Sequence, residues 1–113
     1  MDITKVRYSH LVTESDIPVR GHAIDSGDED FDLKVENEII GRLDRGDIYA
    51  WCSIQVEASI EGFVGYSSQI HGCSYENEDD LIADTYYEDL KVEALKALQA
   101  KIEDVRERLN RIG

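Results

Sequence analysis

Two thiols and one imidazole in the middle of the chain raise the question of a metal or nucleophile site. His71 and Cys73 are two residues apart, and Cys52 is the other of the chain's two cysteines. Imidazole and thiolate are good zinc ligands, but no Cys-x-x-Cys or His-x-x-x-His pair completes a set of four. A cysteine hydrolase would need Cys73 activated by His10, His22 or His71. We therefore expect no metal, no cofactor, no catalytic residue and no enzymatic activity.

Carboxylates dominate the chemistry of this chain. Residues 25–38 read DSGDEDFDLKVENE, with seven carboxylates in fourteen positions, and ENEDD follows at 76–80. With 12 basic and 25 acidic residues, the formal net charge of -13 repels nucleic acid and anionic membranes, so the favoured partner is a protein with a basic surface. The candidate partner-binding residues are Asp28, Glu29, Asp30, Asp32, Glu36, Glu76, Glu78, Asp79, Asp80 and Asp84.

Solubility and the stabilisation of helix starts are the alternative explanations of this charge. Acidic residues in the first turn of a helix are stabilised by the helix dipole, by about 0.3 to 1 kcal/mol each. That effect accounts for Asp28, Glu29 and Asp30. We expect three further carboxylates to lie beyond the first turn, namely Asp32, Glu36 and Glu38. These three are therefore either ordinary solvated positions or part of a binding surface.

Hydrophobic spacing predicts a helix over residues 27–45. Phe31, Val35, Ile39 and Leu43 recur every four residues, and Gly46 follows where a helix would end. SGDE at 26–29 predicts a capping box in which Ser26 caps the helix and Glu29 reaches back to it. Before this helix, residues 1–24 predict one or two short strands, with VRGHAI at 19–24 as the second.

Strict alternation over residues 47–75 predicts a β-hairpin. A three-residue loop at 60–62 pairs Cys52 with Ile70 and buries the apolar set, and it is the favoured register. A two-residue loop at 61–62 would place Cys52 opposite His71 and bury Ser67 and Gln69.

Aromatic residues fall on the face of this hairpin opposite to the apolar set. They are Tyr49, Trp51, Phe63 and Tyr75. Such a face is either a second core covered by a helix or an open docking surface, since tyrosine and tryptophan dominate interface hot spots. The aromatic face is therefore the alternative binding site.

A second helix is predicted over residues 86–112, after a short helical turn capped by Asn77. TYYE at 85–88 predicts a capping box between Thr85 and Glu88, and apolar residues continue at spacings of three and four to Ile112. The last six form a potential coiled-coil seam, namely Leu95, Leu98, Ile102, Val105, Leu109 and Ile112. The seam predicts either packing against the first helix or a homodimer.

The predicted fold is α+β and forms a single domain over residues 1–113. A short antiparallel sheet surrounds the central hairpin, with one amphipathic helix before it and one long helix after it. The chain contains no apolar run of membrane-spanning length, and its start lacks the apolar core of a signal peptide. We expect a cytoplasmic protein with reduced thiols.

Residues 19–98 resemble a family of small uncharacterised bacteriophage and prophage proteins. The likeness rests on VRGHAIDSGD at 19–28, the WC pair at 51–52, GCSY at 72–75 and YYEDL at 86–90. It implies a phage protein acting in the cytoplasm of an infected bacterium and carries over no functional residue.

Small acidic phage proteins often inhibit host defence systems, and anti-CRISPR proteins are the best-known group. The resemblance therefore implies an inhibitor that acts as a DNA mimic, because a rigid face of carboxylates can occupy a basic nucleic-acid groove. The alternative is a structural or housekeeping phage protein that acts through its aromatic face or a helical dimer.

Overall fold

The computed structural model describes residues 1–112 and has the predicted α+β architecture. The strands are β1 (Arg7–Glu14), β2 (Cys52–Ile60), β3 (Phe63–Tyr66) and β4 (Ile70–Cys73), and the helices are α1 (Glu29–Asp44), α2 (Glu78–Ala83) and α3 (Thr85–Ile112). Short 3₁₀ turns cover Ile3–Lys5 and Ile48–Ala50. A single sheet contains all four strands in the order β1-β2-β3, with β4 also paired to β2.

Helix α1 ends as predicted. Gly46 adopts a φ of +86°, its amide donates to the Leu43 carbonyl at 2.9 Å, and the Asp47 amide donates to the Arg42 carbonyl at 3.0 Å. These two bonds form a Schellman motif, in which a left-handed glycine satisfies the last free carbonyls of the helix.

The predicted capping box at the start of α1 is wrong. Asp28 is the N-cap residue, and its carboxylate accepts from the amides of Asp30 (3.1 Å) and Phe31 (3.2 Å). The Ser26 hydroxyl bonds Asp32 instead, at 2.5 Å. Asp and Ser are comparable N-caps, so the choice between them depends on the path of the preceding loop.

The favoured hairpin register is also wrong, because the loop has two residues. Ile60 pairs with Phe63 and Glu57 with Tyr66, while Glu61 (φ 48°) and Gly62 (φ 85°) both occupy the left-handed region. Two left-handed residues are the signature of a type I′ turn, which matches the twist of the strands. Between β2 and β4, Ile54 pairs with Ile70 and Cys52 pairs with Cys73. The pairing of these two strands therefore follows neither of the two predicted registers.

Ser67 explains the change of register. Its amide donates to the Val56 carbonyl at 2.9 Å, but the Val56 amide donates to the Ser67 hydroxyl instead of the Ser67 carbonyl. The freed carbonyl accepts from the Gln55 side-chain amide at 2.8 Å. A buried serine is therefore fully bonded here, which removes the penalty that had disfavoured the two-residue loop.

Two predicted extended segments are turns. In VRGHAI, the amides of His22 and Ala23 both donate to the Val19 carbonyl, which folds the segment back on itself. The hairpin also begins later than residue 47, because the Asp47 side chain accepts from the Tyr49 amide and caps the 3₁₀ turn Ile48–Ala50. Local side-chain bonds of this kind compete with strand pairing.

Helix α3 packs closely on β3 through Gly65. A Cβ at this position would lie 2.6 Å from the Leu98 Cα and 2.7 Å from the Ala94 carbonyl oxygen, so only glycine fits. The helix buries Tyr87, Leu90, Ala94 and Leu98. Of the helices within residues 1–112, none combines the length and the apolar character that crossing a membrane requires.

The chain divides into two compact units. The first unit contains Met1–Leu11, Gln55–Gln69 and the chain from Asp84 onward, and the second unit contains Val12–Ile54 and Ile70–Ala83. Strands β1 and β2 contribute residues to both units. The expectation of one domain over residues 1–113 stays a prediction.

Candidate functional site

The negative charge is concentrated in the second unit. That unit contains fifteen acidic and four basic residues, a formal net charge of -11, whereas the first unit contains ten acidic and eight basic residues, a net charge of -2. Within that unit the pKa of the Tyr49 phenol is raised, mainly by burial and further by the negative charge of the nearby Glu78. Most of the field that a partner would meet therefore originates in one compact body.

The first group of candidate carboxylates lies at the start of α1. Asp28, Glu29 and Asp30 are exposed, and Asp32 is half-buried. Asp28 and Asp32 serve the fold, because one caps the helix and the other accepts from Ser26. Within residues 1–112, the side chains of Glu29 and Asp30 make no hydrogen bond or ion pair, so both are available to a partner.

Glu36 is a structural residue. Its side chain is buried, and its carboxylate accepts from the Gly21 amide at 2.7 Å and faces Arg20 at 3.5 Å. Arg20 also donates to the Asn37 side-chain oxygen at 2.7 Å. The carboxylate thus fastens the turn before α1 to the helix, where a partner cannot reach it.

We expect removal of Glu36 to destabilise the protein. Glu36→Ala would leave the Gly21 amide without its acceptor, which we expect to lower the free energy of unfolding by about 2 to 3 kcal/mol. Urea unfolding followed by circular dichroism measures the loss. Glu38→Ala, at an exposed position on the same helix, is the matched control and should stay within about 0.5 kcal/mol of wild type. Equal stability of the two variants would contradict the structural role.

The second group of carboxylates lies at the start of α2. Glu76, Glu78, Asp79 and Asp80 are all exposed, and Asp80 accepts from the Glu76 amide at 2.9 Å. Asn77 caps the helix as predicted, through a 3.0 Å bond to the Asp80 amide. Within the described chain, the side chains of Glu76 and Asp79 make no hydrogen bond or ion pair.

Arg42 fixes the position of this second group relative to α1. Its guanidinium pairs with Asp47 at 2.8 Å and donates to the carbonyls of Tyr75 (2.5 Å) and Glu76 (3.2 Å). The start of α2 therefore lies beside the C-terminal end of α1. From Asp28 to Arg42 the helix advances fourteen residues, about 21 Å, so the two groups form two acidic centres at opposite ends of α1.

Asp84 belongs to the first unit and has a capping role. Its carboxylate accepts from the Tyr86 amide at 3.1 Å, so Asp84 caps α3 in place of the predicted Thr85. The Glu88 side chain pairs with Lys91 at 3.7 Å. The predicted capping box between Thr85 and Glu88 is therefore wrong.

The four aromatic residues do not share one open face. Trp51 and Tyr75 are buried, and Tyr49 and Phe63 are half-buried. The Trp51 indole N–H donates to the Ile17 carbonyl at 2.7 Å. Trp51 also packs with Ile39 and Ala50 in a hydrophobic cluster, and partly buried side chains of the second unit pack against this cluster. Trp51 therefore lies in a buried core and not on an open docking surface, the two alternatives that the sequence allows for this face.

The two thiols are neighbours, because Cys52 pairs with Cys73 across β2 and β4, and His71 lies two residues before Cys73. Cys52 is buried and Cys73 half-buried. No group of three or more His, Cys, Asp or Glu side chains within residues 1–112 is arranged to hold a metal ion.

The structure reveals a serine–histidine contact that the sequence analysis missed. The Ser53 hydroxyl lies 2.6 Å from Nδ1 of His71, across β2 and β4. The favoured register pairs Cys52 with Ile70 and does not bring Ser53 beside His71, so the contact is visible only in the structure. Ser53 is buried, and no carboxylate within residues 1–112 bonds His71 to complete a catalytic triad. The bond stabilises the pairing of the two strands.

We expect the two thiols to differ sharply in reactivity. Burial raises the pKa of the Cys52 thiol to about 11, and the side chain is inaccessible to solvent. At pH 8 only about one Cys52 in a thousand would be thiolate, the reactive form. Iodoacetamide should therefore label the native protein at Cys73 alone, as read by mass spectrometry, and label both thiols in urea. Native Cys73→Ser protein should stay unlabelled; rapid labelling of Cys52 in that variant would contradict the assignment.

The seam of α3 changes from buried to exposed along its length. Leu98 is fully buried, Leu95, Ile102 and Val105 are half-buried, and Leu109 and Ile112 are exposed. The first part of the seam packs on β3, where Leu98 meets Gly65. Only the last two turns leave apolar side chains available for another helix.

Comparison of the chain with protein-family models, curated proteins and solved structures finds no match.

Proposed function

We propose that the protein is a non-enzymatic, phage-encoded inhibitor that binds a host defence complex and occupies its basic nucleic-acid groove. The observation that carries the proposal is the net charge of -11 on the second unit. The resemblance of residues 19–98 to phage proteins supports the choice of target class, of which a CRISPR surveillance complex is one example.

Four carboxylates carry the proposed contact. Glu29 and Asp30 lie at one acidic centre, and Glu76 and Asp79 at the other. All four are exposed and are not used in capping. Because the centres are separated by about 21 Å along α1, they span about six phosphate intervals of one DNA strand. The surrounding field would accelerate association with a basic groove.

A structural or housekeeping phage protein is the second candidate. The exposure of Leu109 (63%) and Ile112 (85%) favours it, since the end of α3 presents an apolar stripe that another helix could cover. On this hypothesis the charge of the second unit only maintains solubility.

Capture from bacterial lysate distinguishes the two candidates. The tagged protein should recover a nucleoprotein complex at low salt and lose it at about 1 M salt, where the Debye length is about 3 Å. Glu29→Lys with Asp30→Lys, and separately Glu76→Lys with Asp79→Lys, should each weaken capture about tenfold or more. Recovery of the protein alone, or of a salt-resistant complex, would contradict the inhibitor proposal.

A matched control separates local contacts from total charge. Glu61 and Asp89 are exposed acidic residues of the first unit, and the double variant Glu61→Lys with Asp89→Lys changes the net charge by the same amount. This variant should retain capture. If it loses capture as strongly as the other two, overall charge rather than the two acidic centres governs binding.

A further inference from the structure

The C-terminal end of α3 carries an apolar stripe that becomes more exposed toward Ile112. Ile102 and Val105 are half-buried, whereas Leu109 is 63% and Ile112 85% exposed. These four residues follow each other at spacings of three, four and three, so they lie on one side of the helix. An exposed stripe of this kind is typical of a helix that pairs with another helix.

Basic residues flank this stripe on both sides. Lys101 and Arg108 precede Ile102 and Leu109 on one edge, and Arg106 follows Val105 on the other. The carboxylates of this segment lie on the far side of the helix. They form exposed intrahelical pairs, namely Glu103 with Arg106 (3.8 Å), Asp104 with Arg108 (3.1 Å) and Glu107 with Arg111 (3.9 Å).

The flanking charges oppose pairing of the helix with a second copy of itself. In a parallel pair, Lys101 of one helix would face Arg106 of the other, and in an antiparallel pair each basic edge would face its own equivalent. Both arrangements bring like charges together, and like-charge contacts at these positions select against a partner. The stripe is therefore apolar enough to bind a helix, but the basic side chains beside it would repel each other in a homodimer.

We propose that this surface of α3, Ile102 to Ile112, binds an acidic amphipathic helix of another protein. The partner would cover the apolar stripe with its own apolar side chains and place carboxylates against Lys101, Arg106 and Arg108. The surface belongs to the first unit and has the opposite sign to the acidic centres of the second unit. It is therefore a second binding site, independent of the proposed inhibition.

Two designed peptides test the proposal on the protein of 113 residues. Both are four-heptad helices with leucine at the core positions; one carries glutamate and the other lysine at every flanking position. Fluorescence anisotropy should show at least about tenfold tighter binding of the glutamate peptide. Equal binding of the two peptides, or binding of neither, would overturn the proposal.

Variants identify the site and separate it from the acidic centres. Leu109→Ser with Ile112→Ser should abolish peptide binding without changing the unfolding midpoint, since both side chains are exposed. Lys101→Glu, Arg106→Glu and Arg108→Glu together should reverse the preference between the peptides. Glu29→Lys with Asp30→Lys should leave peptide binding intact, so failure here and failure of the inhibitor proposal give different results.

Light scattering tests the argument against self-association. The wild-type protein should have a mass near 12.8 kDa. A mass twice this value that falls to the monomer value in the Leu109→Ser, Ile112→Ser variant would show that the stripe pairs with a second copy, and would overturn the proposal.

Discussion

Substitution of Gly65 by alanine should destabilise the protein by about 3 kcal/mol or more. The added methyl group would lie 2.6 Å from the Leu98 Cα and 2.7 Å from the Ala94 carbonyl oxygen. These are backbone atoms of α3, so no side-chain rotation relieves the clash. The helix would have to move away from β3 and expose Leu90 and Leu98, which contribute to the core of the first unit. Denaturant unfolding followed by circular dichroism measures the loss.

Gly41 is the matched control for this substitution. It lies inside α1, where the nearest atom to an added Cβ is the Arg45 guanidinium nitrogen at 3.4 Å. Alanine is the better helix former, so Gly41→Ala should stabilise the protein by about 0.5 to 1 kcal/mol. If Gly65→Ala were as stable as wild type, the close contact between α3 and β3 would be incorrect.

Substitution of Trp51 by alanine should cost about 3 to 5 kcal/mol, the usual range for a buried aromatic side chain. Trp51 is only 7% exposed, packs with Ile39 and Ala50, and donates its indole N–H to the Ile17 carbonyl. Alanine would leave a cavity in the second core and remove the donor to that carbonyl. Circular dichroism is the appropriate probe, because Trp51 is the chain's one tryptophan and its fluorescence is lost in the variant.

Trp51→Phe separates the two contributions. Phenylalanine retains most of the buried apolar area but removes the hydrogen bond, so the expected loss is about 1 to 2 kcal/mol. Neither variant should reduce partner capture at temperatures where it is folded. Normal stability of Trp51→Ala combined with loss of capture would identify Trp51 as a docking residue and favour the aromatic face over the acidic centres.

The two long helices were predictable because their signals are local. In α1 the four-residue recurrence of Val35, Ile39 and Leu43 fixes the buried side, and Gly46 supplies the left-handed stop. In α3 the uninterrupted stripe after Thr85 predicts the full length of the helix. Neither feature depends on a partner elsewhere in the chain.

The strand register was not predictable from hydrophobicity alone. The alternation favours burying every apolar residue, but Ser67 is buried and fully bonded, and it replaces a backbone acceptor in the ladder. The register of the strands changes at this exchange. On one side of it Glu57 pairs with Tyr66, and on the other side Cys52 pairs with Cys73. The contact between Ser53 and His71 depends on this shift and was missed with it.

The sequence predicts the negative charge of the candidate site, but it does not predict which carboxylates are available to a partner. Composition is enough to predict an acidic protein, and the sequence places the carboxylates at two helix starts. Glu36 looks like the others in the sequence, yet its partner Gly21 is fifteen residues away. The division between capping carboxylates and available ones depends on such contacts, which no local pattern encodes.

A competition experiment tests the inhibitor proposal most directly. The captured host complex is mixed with a fluorescent copy of its own nucleic acid, and anisotropy is followed as the protein is added. The proposal predicts that wild type displaces the nucleic acid, that Glu29→Lys with Asp30→Lys requires at least about tenfold more protein, and that Glu61→Lys with Asp89→Lys behaves as wild type. Binding of the protein without displacement, or equal competition by all three, would contradict occupation of the groove by the acidic centres.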